Sequence, residues 1–174
     1  CGWGTYAQRL IERTGPKGET IYPLADLVEK IKQQLKVPNT KRAAYELGVI
    51  EPFLDIPVYE PGHDRKYLMG GPCLSHISFK VSKEHRLYLT AVYRNHYYVQ
   101  RALGNLLGLA HLQYFVAKEA GIEVGPLACL STCASLDTKS ATESSRGKWG
   151  THDVENLLSS CHHAVGTETE TIEA

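Results

Sequence analysis

The sequence has no net charge and no long apolar run. Its 174 residues carry 19 basic and 19 acidic side chains, so no overall field draws the chain towards nucleic acid or an anionic membrane surface. The longest apolar stretches, such as Leu106 to Ala110, fall well short of the roughly 20 residues that a membrane-spanning helix needs. We therefore expect neither a nucleic-acid polymer nor a membrane as the partner.

Several common functional signatures are also absent. No internal repeat, phosphate-binding loop or dinucleotide-binding glycine fingerprint is present, which argues against nucleoside triphosphate hydrolysis and nicotinamide chemistry. The five cysteines, an odd number, lack the spacings of a small disulfide-bonded domain, so we expect a reducing, cytoplasmic location. The chain begins at Cys1 without a methionine or a leader, and we expect that an N-terminal part is missing.

Hydrophobic periodicity and length favour one α/β or α+β domain. Apolar residues at helical spacing predict an amphipathic helix over Leu24 to Leu35. A second helix, over Gly104 to Ala120, is more apolar, and we expect it to be the long, buried, central helix, closed by Gly121. Alternating residues predict two strands, Leu74 to Val81 and Arg86 to Tyr93, joined by a turn.

The remaining segments are less regular. Ala43 to Ile50 is apolar-rich, but its pattern decides neither helix nor strand. The stretch from Phe53 to Gly71, rich in Pro and Gly, predicts a long loop. We divide the chain into a domain over residues 1–138 and a polar C-terminal extension over 139–174, whose composition predicts mobility apart from a short helix near Val154 to Leu158.

Cys73 is the candidate nucleophile. It ends the sequence Gly70-Gly71-Pro72-Cys73, at the junction of the predicted loop and a strand, where a thiol can face a cleft. Nearby cations favour the reactive thiolate, and Arg94 at the end of the next strand is a candidate for that role. Taken alone, a cysteine in this position is more often a buried apolar residue.

Other interpretations of the reactive residues stay open at this point. The run from Tyr93 to Tyr98 is aromatic-rich and could stack on a base, although such strand ends are commonly part of the core. A cysteine hydrolase would pair Cys73 with His76 or His96, but spacing alone does not establish that pairing. A zinc site is a poor match to the spacing of its candidate ligands, Cys129, Cys133, His152, Cys161, His162 and His163.

An ordered set of motifs between about Trp3 and Asp137 resembles thymidylate synthase and its relatives, the pyrimidine nucleotide hydroxymethylases. Pro72-Cys73, followed by Ser78-Phe79, is similar to the family's Pro-Cys motif and the strand after it. Arg94-Asn95, with Asn105 eleven residues after the arginine, resembles its Arg-Ser motif and its pyrimidine-reading asparagine.

Two further stretches carry the same resemblance. Asn39-Thr40-Lys41-Arg42 is similar to the family's Asp-Arg-Arg element, whose cations reach across a dimer to the partner's nucleotide phosphate. Gly121 to Gly125 and a strand over Leu127 to Leu136 resemble the family's Gly-Leu-x-x-Gly stretch and following strand.

The resemblance implies a fold, a reaction and a set of site residues. The fold is α+β, with a mixed, twisted sheet flanked by helices and pairing through that sheet into a homodimer. Cys73 would add to C6 of a pyrimidine nucleotide monophosphate, so that C5 can accept a methyl or hydroxymethyl unit from 5,10-methylenetetrahydrofolate. Asn105 would read the pyrimidine, and Arg94, Arg42 and Lys41 would hold the 5′-phosphate.

Departures from the family pattern favour a second hypothesis. The family's ribose-binding His-x-Tyr falls on Ser135-Leu136-Asp137, so Ser135 and Asp137 become the candidate sugar contacts, and Asn95 replaces the serine after the arginine. The histidine after the nucleophile is Leu74, and the family's catalytic glutamate lies upstream of the matched stretch. The alternative is therefore a non-catalytic relative that binds a nucleotide or dimerises on the same scaffold.

Overall fold

The helices and strands are those of a computed structural model, which describes residues 5–50, 72–136 and 149–170. Within those residues the helices are α1 (Tyr6–Ile11), α2 (Pro23–Leu35), α3 (Ala102–Ala120) and α4 (Thr151–Glu170). The strands are β1 (Arg13–Thr14), β2 (Thr20–Ile21), β3 (Tyr45–Gly48), β4 (Leu74–Val81), β5 (Arg86–Tyr93), β6 (His96–Tyr97), β7 (Glu123–Ser131) and β8 (Ala134–Ser135).

A mixed sheet organises the described residues. Its strand order is β3-β4-β5-β7, with antiparallel pairing up to β5 and parallel pairing between β5 and β7. A parallel pair needs a crossover connection, and α3 lies between these two strands in the chain. The predicted α+β class, with a mixed sheet flanked by helices, is confirmed.

Alternation along the strands places one face of this sheet, the inner face, in the core. Ile77, Phe79, Leu87 and Leu89 are at most 1% exposed. Burying each large apolar side chain contributes roughly 1.5–3 kcal/mol relative to leaving it in water. Helices α2 and α3 add core residues, namely Leu27, Val28, Ile31, Leu109, Val116 and Ala117.

The outer face of the sheet is polar on one side and apolar on the other. Glu46 on β3 bonds His76, Ser78 and Lys80 on β4. Towards β7 the exposed side chains are larger and apolar, including Tyr88 and Leu130. This face therefore combines a charged cluster with exposed apolar surface.

Helix α3 is confirmed, with Gly121 as its left-handed C-cap (φ 72°). The expectation that it is buried needs correction. Leu109 and Val116 are buried, but Leu106 and Phe115 are 39% and 46% exposed. A helix that is apolar on every side does not reveal from its sequence which sides are covered, and here the sheet covers one stripe.

Other predictions meet the structure in different ways. The ambiguous stretch after Arg42 contains strand β3, and the helix predicted near Val154 is longer, spanning Thr151–Glu170 as α4. The strand expected over Leu127 to Leu136 begins earlier, ends at Ser131 and is followed by β8. The loop predicted over Phe53 to Gly71 lies outside the described residues. Among the described helices, none combines the length and apolarity needed to cross a bilayer.

Candidate active site

Cys73 lies directly before β4, at the edge of the core. Its backbone carbonyl accepts a hydrogen bond from the Arg94 backbone N–H (2.9 Å), which extends the β4–β5 pairing. The register shifts between Leu74 and His76, so the strand carries an irregularity next to the cysteine. Cys73 is half-buried and packs against the hydrophobic core.

Tyr6 is the residue that holds this backbone and that the sequence interpretation missed. Its hydroxyl oxygen accepts hydrogen bonds from the backbone N–H groups of Cys73 (3.2 Å) and Leu74 (3.3 Å). Burial, and then the neighbouring Cys73 side chain, raise the pKa of Tyr6, so the phenol stays neutral at neutral pH. The only sequence signal for Tyr6 was its position inside the stretch that resembles the family.

Helix α1 fixes where that phenol lies. Thr5 caps the helix in a capping box with Gln8, each side chain bonding the other residue's backbone N–H. Tyr6 is the first helical residue, and Arg9 on the next turn donates to the Val49 carbonyl (3.1 Å). The helix is therefore fastened at its start and along its length.

Arg94 lies beside Cys73, as the sequence predicts for the end of the next strand. Its Nε donates to the Pro72 carbonyl (2.9 Å), so the guanidinium group is anchored against the residue that precedes the cysteine. Arg94 is half-buried, and Asn95, also half-buried, follows it in the turn between β5 and β6. A half-buried guanidinium group anchored at Nε is suited to bind an anion in a fixed geometry.

Asn105 and His96 form a second part of the site. Asn105 lies in the first turns of α3, and its Nδ2 is 3.1 Å from His96 Nε2. The other ring nitrogen of His96, Nδ1, is 2.8 Å from Ser131 Oγ at the end of β7. His96 is only 2% exposed, and burial lowers its pKa, so the ring is neutral at neutral pH.

Aromatic rings hold the plane of His96. Tyr93 stacks on it, with ring centroids 4.3 Å apart and planes inclined by 10°. Tyr98 approaches it edge-on at 5.1 Å. The aromatic run of the sequence is therefore core and rim around an imidazole, which is the less specific of its two interpretations.

The candidate sugar contacts are only partly visible. Ser135 lies in β8, which pairs with β6, and its carbonyl accepts from the Tyr98 backbone N–H (3.0 Å). The Ser135 hydroxyl is buried, and no hydrogen-bond partner for it is recorded among the described residues. Asp137 lies outside the described residues.

Lys41 and Arg42 lie far from Cys73 of the same chain, at the opposite end of β4. The Arg42 carbonyl accepts from the backbone N–H of Val81, at the far end of β4. Seven residue steps of extended strand separate Val81 from Leu74, or roughly 23 Å. Both basic residues are exposed at that far end.

A cavity of about 620 Å³ opens beside the cysteine end of the sheet. Tyr6, Tyr93 and Asn105 line it together with apolar residues of α1, α2 and α3, and Gly104 and Gly108 lie along its α3 wall. Its volume falls within the range of pockets that hold small organic ligands. Tyr6 both lines the cavity and bonds the Cys73 backbone, so this backbone lies next to the cavity wall, while Cys73 is not itself a lining residue.

The geometry does not support the hydrolase interpretation. Both ring nitrogens of His96 already face Asn105 and Ser131. His76 bonds Glu46 on the outer face of the sheet, whereas Cys73 packs against the core. Neither histidine is placed to take a proton from the thiol. Among the described residues, no group of three or more Cys, His, Asp or Glu side chains is arranged to hold a metal ion.

Two archaeal proteins resemble this chain in sequence. A protein of Methanosarcina mazei named "Putative thymidylate synthase" is 30% identical over 132 residues, which are 76% of this chain and 52% of that protein. A protein of Methanothermobacter marburgensis with the same name is 40% identical over 65 residues, 37% of this chain and 29% of that protein. No protein-family model matches the chain.

Among solved structures, the crystal structure of thymidylate synthase from T4 phage is similar, with a TM-score of 0.48 and 20% identity over 66% of this chain and 34% of that one. The chain spans about half the length, or less, of the two curated archaeal relatives. The matched sequence in the Methanosarcina relative covers three quarters of this chain. The chain is therefore a divergent member of the thymidylate-synthase-like family.

Proposed function

We propose that this protein transfers a one-carbon unit, methyl or hydroxymethyl, to C5 of a pyrimidine nucleotide through a covalent adduct with Cys73. The observation that supports the proposal is that three candidate site residues, distant in sequence, lie close to one cavity. Cys73, Arg94 and Asn105 are far apart in sequence, yet Tyr6 bonds the cysteine backbone and lines the same cavity as Asn105, while Arg94 is bonded to Pro72. A candidate nucleophile and a candidate anion-binding group thus lie next to residues that border the cavity, and the candidate base-reading amide lines it directly.

The proposed chemistry begins with the thiolate of Cys73. Its sulfur forms a bond to C6 of the pyrimidine, the C5=C6 double bond breaks, and its electron pair becomes available at C5. C5 would bond to the one-carbon unit as the bond from that carbon to the folate nitrogen breaks, and the C5 proton would then leave. Hydride from the tetrahydrofolate, which would be oxidised to dihydrofolate, would give methyl, whereas water would give hydroxymethyl. Breaking of the sulfur–C6 bond would restore the ring and free the thiolate. Loss of the C5 proton is therefore a direct signature of the cycle.

Binding of the nucleotide is divided between two kinds of group in this proposal. Arg94 holds the 5′-phosphate by charge-assisted hydrogen bonds, and Asn105 meets the pyrimidine edge. Lys41 and Arg42 lie too far from Cys73 of their own chain, so they act on the site of a second copy in a homodimer. The exposed apolar side chains on the outer face of the sheet, Tyr88 and Leu130, support pairing through that face.

The cavity fits the folate that the family implies. Methylenetetrahydrofolate supplies a one-carbon unit when bound. Ile11, Leu24, Leu112 and Phe115 give the cavity apolar walls, which suit the flat ring system of such a molecule. In this proposal, a ligand bound against these apolar walls displaces water, which favours attack by C5 on carbon over quenching by a proton.

Release of tritium from C5-labelled nucleotides tests the proposal. Uridine and cytidine monophosphates, deoxy and ribo, are incubated with the full chain, with and without methylenetetrahydrofolate. We expect release that disappears in Cys73→Ala and persists in Cys129→Ala, a control at another half-buried cysteine. Circular dichroism checks that both variants fold.

Each outcome separates the candidate functions. Release that survives in Cys73→Ala would overturn the covalent role of this residue. Nucleotide binding without release from the unaltered chain, with or without folate, would favour the non-catalytic relative, which the replaced sugar-site residues Ser135 and Asp137 also favour.

A further inference from the structure

Helix α3 has one line of apolar side chains that stays exposed. Leu103, Leu107, Ala110 and Tyr114 form this line, which we call the α3 stripe, and the two leucines and the tyrosine are 55% to 72% exposed. Their spacing of four, three and four residues places them on one side of the helix. The elements α2, β5 and β7 pack on other sides of α3. The stripe is therefore apolar surface without a described covering element.

Helix α4 carries a second apolar line, the α4 stripe, formed by Val154, Leu157, Leu158 and Cys161. Val154 is buried in the first turn, whereas the other three are exposed. Every other residue from 152 to 163 is polar. No described helix or strand packs extensively against α4. A helix with so clear an apolar side gains most of its stability by packing that side on a partner.

An antiparallel alignment matches the two stripes residue by residue. Both stripes step by four residues and then by three when α4 is followed forwards and α3 backwards. The facing pairs are then Tyr114 with Val154, Ala110 with Leu158, and Leu107 with Cys161. Each pair sets a larger side chain against a smaller one, which is how facing layers of two helices interdigitate. Sequence spacing and side-chain size therefore select the same register.

Charge favours the antiparallel direction over the parallel one. Lys118 follows the α3 stripe in the last turn of α3, and Asp153 and Glu155 flank the start of the α4 stripe. The antiparallel alignment brings these opposite charges to the same end and opposes the two helix dipoles. A parallel alignment would instead bring His162 and His163 towards the Lys118 end.

We propose that α4 folds back on its own chain and docks antiparallel along the α3 stripe. Both stripes are exposed in the described arrangement, so α4 moves as a unit to reach α3. The chain leaves β8 near the start of α3, because the Tyr98 backbone N–H, shortly before that helix, donates to the Ser135 carbonyl. The Tyr114 end of the stripe lies roughly 17 Å further along the helix.

The connection between β8 and α4 is long enough for this docking. A segment as long as residues 137–148 spans at most roughly 40 Å, which exceeds the distance along the stripe. A short tether gives the attached helix an effective concentration of roughly millimolar. The α4 helix of a second copy would have to reach a similar concentration to compete, so α4 of the same chain is the favoured occupant. The docking does not depend on the proposed catalysis.

Cys161 supplies one half of a crosslink that reports the docking. Leu107→Cys places a second thiol opposite it, and a disulfide forms where the two Cα atoms come within about 4.4–6.8 Å. The full chain is treated with oxidised glutathione, and peptide mass mapping identifies the linked pair. We expect a link between positions 107 and 161 within one monomer. It should form roughly tenfold or more faster than the link to Cys161 in Gly108→Cys, because position 108 is at the same level of α3 but lines the cavity.

A second pair of variants tests whether the apolar contact drives the linking. Added to the Leu107→Cys chain, Leu158→Asp places a charge in the contact and should slow linking roughly tenfold or more. Ser159→Asp, on the polar side of α4, should leave the rate unchanged. All four positions are exposed, so the folded core does not rest on them.

Three results would overturn the docking. One is an equal rate of linking in Leu107→Cys and Gly108→Cys. Another is a rate of linking that Leu158→Asp leaves unchanged. The third is a linked dimer in place of a linked monomer on a non-reducing gel, because α4 would then occupy the stripe of a second copy.

Discussion

The two ends of strand β4 are held in different ways. At the Cys73 end, side chains from distant parts of the sequence fasten the backbone, with Tyr6 bonding two N–H groups and Arg94 bonding the Pro72 carbonyl. At the Val81 end the strand backbone meets local or backbone partners, as in the Ser82 turn and the bond from Val81 to Arg42, and the long-range side-chain bonds there come from the partly exposed Lys80. The cysteine end is built to hold a fixed geometry, while the far end leaves its basic side chains exposed.

The largest expected effect is a loss of nucleotide affinity, and it distinguishes Arg94 from Arg42. Arg94→Met should weaken nucleotide binding roughly a hundredfold or more in any assembly, because a charge-assisted phosphate contact and the anchor on Pro72 are both lost. Arg42→Met should weaken binding to a similar extent only if a partner copy supplies Arg42 to the site. Calorimetric titration with the nucleotide that binds the unaltered chain measures both changes.

Mixing inactive copies distinguishes action across a dimer from action within one chain. When Cys73→Ala and Arg42→Met chains are unfolded together and refolded, a mixed dimer contains one site with both residues intact if Arg42 acts on its partner. Tritium release should then return in the mixture, at about a quarter of the unaltered rate. If the mixture stays inactive while each variant remains dimeric, the proposal that Arg42 crosses the interface is wrong.

A smaller effect tests the fastening of the cysteine end. Tyr6→Phe removes the acceptor for the backbone N–H groups of Cys73 and Leu74, and each unsatisfied buried donor costs about 1–3 kcal/mol. We expect the free energy of unfolding to fall by about 2 kcal/mol in urea titrations. Tyr22→Phe is the control, because Tyr22 is 48% exposed and a surface change of this kind stays within about 0.5 kcal/mol. Equal losses in the two variants would contradict the role given to Tyr6.

The smallest effect is a dependence of stability on pH that originates at His96. Burial lowers the pKa of His96 in the folded chain, so the unfolded chain takes up its proton first as the pH falls. The stability contributed by the neutral ring is complete above the ordinary histidine pKa of about 6.5 and is lost progressively as the pH falls below it. Each pH unit in that window lowers the free energy of unfolding by at most about 1.4 kcal/mol.

Comparison with His96→Phe isolates that contribution. Urea titrations at pH 7, 6 and 5 should show a shallower loss of stability in the variant than in the unaltered chain. Parallel pH profiles for the two proteins would mean that His96 does not remain neutral through folding. Because the two proteins share every other ionisable group, the difference between their pH profiles reports on His96.

Sequence patterns predicted the parts of the fold that depend on neighbouring residues. The limits of β4 and β5 agree with the prediction residue by residue, because alternation over eight residues on each strand leaves little choice of register. Helix α2 was predicted to within one residue for a similar reason. The burial of α3 could not be predicted in the same way, since its apolar residues surround the helix and only tertiary packing selects the covered stripe.

In the candidate site, too, local sequence predicted some residues and only the fold revealed others. Cys73, Arg94 and Asn105 could be named from motifs, but the groups that orient them could not. Tyr6 acts across 67 residues of sequence and Ser131 acts on His96 across 35, and neither distance leaves a periodic signal. His96 was considered only as a base for the thiol, whereas its bonds direct it to the amide of Asn105. Local motifs named the candidate residues, and the bonds that orient them became visible only in the fold.

The α3 wall of the cavity has one further consequence, for how the size of the ligand could be altered. Gly104 and Gly108 are one helical turn apart, and a methyl group built on either would meet no atom within 4 Å. Glycine inside a helix is roughly 1 kcal/mol less favourable than alanine. The surrounding atoms would accommodate alanine, so these two glycines lower the stability of the helix without a steric reason. Alanine at these positions would stabilise the helix and reduce the volume of the cavity. The two glycines therefore make the helix less stable and leave a larger cavity for the ligand.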